Sequence, residues 1–141
     1  MTIQTNVQRD MLVVPAVGDL SGFVGRLAKL VSINGKAHAR LPEADTDPAL
    51  YVIDDVRSDG KVELLPLHSG RNFRVVLSGT CSVGDALCLA LGEAAGMARA
   101  VPNVDGEYMV RGYAEDDGLN GQHIRIRPYP AGMVTVEEAY Q

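Results

Sequence analysis

The chain has no tryptophan, and only 5% of its 141 residues are aromatic. Sugar- and lipid-binding modules lean on exposed aromatic platforms, whose rings supply large apolar faces with a polar handle. Such a module is poorly served by five scattered tyrosines. Cysteine is almost as scarce. Cys81 and Cys88 are the only two, too few for a disulfide framework. They read as reduced, half-buried thiols. Basic clusters are missing as well. The net charge is −5, with seven bases and nine acids in residues 1–70 and six and nine in residues 71–141. That even acidic balance argues against direct nucleic-acid binding. No charged start followed by an apolar stretch marks a signal peptide. No run approaches the roughly 18 apolar residues of a membrane span. The expectation is a protein made in a reducing cytoplasm, without a membrane partner.

What the chain does have is glycine, 15 of 141, against a usual share of about 7%. Glycine-rich turns between short apolar runs predict an all-β fold, a small β-barrel or sandwich of short strands. The length suits one domain with arms. Residues 1–19 are expected to form an N-terminal arm, residues 20–128 the β domain, and residues 129–141 a C-terminal tail.

Within the N-terminal segment, Met11, Leu12, Val13 and Val14 form an apolar patch ended by Pro15. Proline cannot donate to a sheet ladder, so this is an edge strand or an extended arm. Leu20, Phe23, Val24, Leu27, Leu30 and Val31 fall at helical spacing. Gly22 and Gly25 oppose a helix, each costing about 1 kcal/mol inside one. A Ser21-Gly22 turn followed by a strand from Arg26 to Ile33 is preferred. Asn34-Gly35 is the strongest hairpin signal, since both residues accept positive φ. Further strands are expected at Lys36–Arg40, Leu50–Asp54, Lys61–Leu65, Phe73–Leu77, Ala86–Leu91, Met97–Val101, Tyr108–Tyr113 and Ile124–Arg127. Residues 41–48 read as a loop. In the tail, Met133, Val134 and Val136 are able to add a strand to an exposed edge, the chain's own or a neighbour's. No internal repeat is apparent.

A search for chemistry finds little. His38, His68 and His123 lack partners at zinc-ligand spacing. A cysteine–histidine nucleophile needs a thiolate, a base and an orienting group, and Cys88 sits in an apolar strand where a thiolate is disfavoured. Asp116-Asp117-Gly118 reads as turn chemistry, without the alternating oxygen ligands of a calcium loop. Gly79, Gly84, Gly92 and Gly96 lack phosphate-cradle spacing. Arg125 and Arg127 share a strand face and, with Arg71, Arg74 and Arg111, form either a solvated face or a set of contacts for an acidic partner. No catalytic residue, cofactor site or metal site is expected.

The order of the motifs is more telling than any one of them. Asp19-Leu-Ser-Gly22 precedes Gly25-Arg-Leu-Ala-Lys-Leu30. Phe73-Arg-Val-Val-Leu-Ser-Gly-Thr80 precedes Val83-Gly-Asp-Ala-Leu87, and Gly112-Tyr-Ala-Glu-Asp-Asp-Gly118 closes the series. Together they resemble the small decoration (cement) proteins of tailed-bacteriophage capsids, over residues 19–127. The Pro42–Pro48 loop and the tail beyond Tyr129 have no counterpart in that pattern. The resemblance implies an all-β virion protein, commonly trimeric, bound to the outer surface of the phage head. Its partners would be the major capsid protein and other copies of itself, and it would stabilise the shell against the pressure of packaged DNA. It implies no chemistry and no cofactor. Met11, Leu12, Val13, Val14, Pro15, Met133, Val134 and Val136 are the expected partner contacts. The competing readings are a non-catalytic β-barrel binding module, a small hydrolase or hydrolase subunit, and a tail or baseplate component.

Overall fold

Alternating apolar residues and left-handed turns build ten strands in the computed structural model, which describes residues 11–137. They are β1 (Leu12–Pro15), β2 (Leu27–Ile33), β3 (Lys36–Arg40), β4 (Tyr51–Val56), β5 (Lys61–Pro66), β6 (Phe73–Val76), β7 (Ala86–Leu89), β8 (Ala98–Ala100), β9 (Gly106–Ala114) and β10 (His123–Val136). A single 3-10 turn, Gly92–Ala94, interrupts the strands. The fold is all-β, as the glycine-rich punctuation predicts. The residues at helical spacing between Leu20 and Val31 form a turn and then β2. The β2–β3 hairpin turns at Asn34 and Gly35, with φ of 52° and 78°, the pair of positive values a type I′ turn requires.

The strands form two five-stranded antiparallel sheets with the same internal order. One runs β1-β5-β4-β2-β3 and the other β6-β10-β9-β7-β8. Counted from its own first strand, each sheet is ordered 1-5-4-2-3. The register repeats too. Leu12–Pro15 face Lys61–Leu64 as Phe73–Val76 face His123–Ile126. Tyr51, Val52 and Ile53 face Pro66, Leu65 and Leu64 as Gly112, Tyr113 and Ala114 face Pro128, Arg127 and Ile126. Single hydrogen bonds recur. Gly25 N–H donates to Ile53 O at 2.8 Å, and Gly84 N–H donates to Ala114 O at 2.8 Å. Each sheet also closes on itself by a parallel bridge, Ala16 to Ala39 in the first and Leu77 to Ala98 in the second. The chain is thus two small barrels in tandem, residues 12–66 and 73–128. The expectation of no internal repeat is corrected here. The equivalent residues share apolar character and turn geometry but rarely identity, so the repeat lives in register and not in letters.

The first barrel fills its own interior with Val14, Leu20, Ala28, Ala39, Ile53, Val62 and Leu64. The second does not stand apart. Its interior residues, among them Phe73, Val75, Leu87, Leu89, Ile124 and Ile126, form one cluster with Leu27, Ala49 and Val52 from the outside of the first. Two backbone bonds stitch the seam, Leu27 N–H to Gly96 O at 2.7 Å and Val76 N–H to Gly25 O at 2.9 Å. The approach is close enough to require glycine. A Cβ on Gly96 would lie 2.5 Å from Leu27 O, and one on Gly25 would lie 2.6 Å from the His123 ring.

Candidate functional site

Both segments expected to reach partners are paired inside the chain. Leu12–Pro15 is the edge strand β1, hydrogen-bonded to β5. Val14 points into the first barrel's core, Met11, Leu12 and Val13 are half-buried, and Pro15 is exposed at the edge. Proline suits this place because an edge strand has no partner for the missing N–H. Met133, Val134 and Val136 lie in the second sheet, facing Met109, Tyr108 and Gly106 of β9. The structure therefore places the two segments in different barrels. The rest of the N-terminal segment, residues 1–10, and the end of the tail, residues 138–141, lie outside the described residues.

The second of these segments is the more open. Past Ile126, β10 has no partner strand among the described residues on the side where β6 pairs it, and β9 continues with it on the other. A register shift between Pro128 and Gly132 marks where the strand pair leaves the barrel, and such irregularities bend a strand and redirect it. The projecting ladder of residues 106–110 and 132–136 carries Met133 and Val134, 49% and 40% exposed. Tyr113 and Tyr129 meet edge-to-face at its base, ring centroids 5.0 Å apart, and both are exposed. A strand with an unpaired edge and apolar side chains is a template for another strand.

The loop of residues 41–48 does more than connect β3 to β4. Asp47 accepts hydrogen bonds from Lys29 Nζ at 2.8 Å and from the backbone N–H groups of Glu43 and Ala44. The ammonium and these N–H groups hold its carboxyl down to about 2. Asp45 accepts from Met109 N–H at 2.8 Å, capping the free side of β9. Arg111 donates to the carbonyl oxygens of Asp45 and Asp47. The loop so clamps the two barrels together. Arg111 is 7% exposed, which corrects its assignment to an open arginine face. Nothing local distinguishes it in sequence, because its partners lie more than sixty residues away.

The remaining arginines divide. Arg125 binds Asp116 through Nη2 to Oδ1 at 2.7 Å and through its own backbone N–H to Oδ2 at 2.8 Å, and the guanidinium lowers that carboxyl to about 2. Arg127 pairs with Glu115 at 3.2 Å. Ile124 and Ile126 are buried between them, as the strand alternation requires. Asp117 accepts from Val83 N–H at 2.8 Å, so the acidic turn fixes the loop before β7. Arg71 and Arg74 make no direct ion pair among the described residues, although Arg74 adds to the field that lowers Asp116. They line a cleft of about 310 Å3 between the barrels, together with Asn72, His123, Phe73, Gly25 and Asp54.

The cysteines are free and buried. Burial pushes both thiols up, helped at Cys81 by the neighbouring Asp85 and Asp117, which keeps them protonated at neutral pH and weak as nucleophiles. Among the described residues, no group of three or more His, Cys, Asp or Glu side chains is placed to hold a metal ion.

No family model matches the sequence. No curated protein matches it either. The fold, however, has a solved counterpart. It is similar to the crystal structure of the N base of head fiber gp8.5 of bacteriophage phi29. The TM-score is 0.63 at 20% sequence identity, over 91% of this chain and 98% of that one. At that identity the likeness is one of fold, and it covers both barrels.

Proposed function

We propose that this chain is a structural virion protein of a tailed-phage head, a decoration or cement protein. It binds the outer surface of the shell between major capsid proteins and stabilises it against internal DNA pressure. The observation that carries this reading is the fold shared, nearly end to end, with a phage head fiber base. The ordered motifs between Asp19 and Gly118 point the same way, because they resemble capsid decoration proteins. The two supports are separate, one resting on backbone geometry and the other on sequence pattern.

The physical requirements of the role match what the chain offers. A shell is stabilised by whatever binds its assembled state preferentially. Modest contacts repeated on a lattice, or within a trimer seated on it, multiply through avidity. The projecting β9–β10 ladder supplies a strand edge with exposed Met133 and Val134 for such contacts. Two barrels sharing one apolar seam supply a stiff body behind it. No step of this role involves turnover or a cofactor.

The test is a sedimentation assay. Purified chain is mixed with expanded, undecorated heads of the phage that encodes it. Saturable binding at a fixed ratio to the major capsid protein is the expected result, with a raised melting temperature of the heads. Absence of binding at micromolar concentrations would overturn the reading.

A further inference from the structure

We propose that the cleft between the barrels is a binding site for a carboxylate side chain, a glutamate or aspartate of a partner protein. Three observations converge on it. The first is a charge that the fold does not need. Arg74 lies directly opposite Arg125 across the β6–β10 ladder, and like charges facing each other in a sheet are destabilising. Arg125 is neutralised by Asp116. Arg74 makes no direct ion pair of its own among the described residues and only adds, at longer range, to the field that lowers Asp116, whose carboxylate Arg125 already holds. The equivalent position in the first barrel is Val13, facing Glu63. The same backbone is thus satisfied by an apolar residue, and the second barrel holds there a cation without a direct carboxylate contact.

The second observation is pre-organisation. Arg71 stacks its guanidinium over the Phe73 ring at 4.5 Å, and its Nε donates to Asn72 O at 3.2 Å. A stacked guanidinium presents its remaining N–H groups in a fixed fork, the geometry that matches a carboxylate. His123 lines the same cleft, packed against Gly25 at the seam. In a chain of net charge −5, two arginines against the one aspartate, Asp54, that lines the cleft are a local reversal of sign.

The third is the shape of the cleft. Its walls include Val24, Val52, Leu65 and Phe73, which suit the methylene stem of a glutamate better than a free inorganic anion. Asp54 stands on the facing wall. It repels a phosphate dianion more strongly than a single carboxylate. The occupant is therefore an acidic side chain delivered on a polypeptide. The inference uses the purified chain alone, so its failure leaves the head-binding reading untouched, and the sedimentation assay leaves this one untouched.

The experiment is an NMR titration of the full chain at constant ionic strength, following the arginine Nε–H and histidine ring resonances. The probes are a capped Gly-Glu-Gly peptide, its Gly-Gln-Gly counterpart and inorganic phosphate. Saturable shifts at Arg71, Arg74 and His123 with the glutamate peptide are expected. Affinity should fall at least tenfold in Arg74→Gln and in Arg71→Gln, and stay unchanged in Arg57→Gln, whose arginine pairs with Glu63 in the other barrel. Arg74 is exposed, so Arg74→Gln should keep the rest of the spectrum superimposable. Equal shifts from the glutamine peptide, binding undiminished in both cleft variants, or binding of phosphate without the glutamate peptide would each overturn the proposal.

Discussion

The two barrels share strand order, register and closing bridges, yet they differ in what fills them and in what they show to solvent. The first keeps a core of its own, centred on Val14, Ile53, Val62 and Leu64. The second completes its core with Leu27, Ala49 and Val52 from its neighbour. At the edge, Val76 donates its N–H to Gly25 across the seam, while its equivalent Pro15 has no N–H to give. The hairpin arms also diverge. In the first barrel the β4–β5 ladder stops at Tyr51 and Pro66, whereas β9 and β10 run on past the equivalent pair, Gly112 and Pro128, as a projecting ladder. The first barrel is thus the foundation, and the second carries the features that are open to partners.

The strongest way to break this comparison is a matched pair of core truncations. Leu64→Ala and Ile126→Ala remove equivalent buried side chains, each at a cost of about 2–5 kcal/mol. Leu64→Ala should lower amide protection in both barrels. Ile126→Ala should loosen residues 73–128 while residues 12–66 stay protected. Hydrogen exchange reads the difference, and equal loss in both halves of both variants would dissolve the distinction. Gly96→Ala attacks the seam itself. Its left-handed backbone alone costs an alanine about 1–2 kcal/mol, and the contact with Leu27 O adds to that. Thermal melts should show a loss larger than for Gly79→Ala, which has the same sign of φ but open space around it.

Arg111→Met tests the clamp at smaller scale. Its loss strands the carbonyl oxygens of Asp45 and Asp47, for about 1–3 kcal/mol in denaturant unfolding. Acid titration sharpens the comparison further, with one strongly depressed aspartate in each barrel. Asp47 and Asp116 both lie at about 2 in the folded chain, against about 3.9 when unfolded. Their stabilisation is complete above pH of about 4 and is lost as the pH falls toward about 2. Asp47→Asn should flatten that decline more than Asp116→Asn, because the Asp47 carboxylate holds the 41–48 loop to the half-buried Lys29 and to the N–H groups of Glu43 and Ala44, while the Asp116–Arg125 pair is more solvent-exposed and screened.

Most of the strands were legible in the sequence because their punctuation is chemical. Asn34, Gly35 and Gly60 sit where positive φ is needed, and Ile124 and Ile126 alternate with Arg125 and Arg127 as a half-buried strand must. Other features depend on long-range pairing and leave no local trace. Arg111 is buried only because a loop from the first barrel folds over it. The long reach of β10 depends on β9 continuing beside it, across Pro128 and Pro130, which read locally as strand breakers. The tandem repeat was hidden because a register is preserved by apolar character alone: Val62 and Ile124, or Leu64 and Ile126, serve the same place.

The head-binding account turns on the projecting ladder. Hydrogen exchange of the chain, free in solution and bound to heads, measures it directly. The account predicts that residues 106–110 and 132–136 gain protection on the heads, while the first barrel's core strands keep their free-state values. Equal exchange of the ladder in the two states, with the chain demonstrably bound, would contradict it.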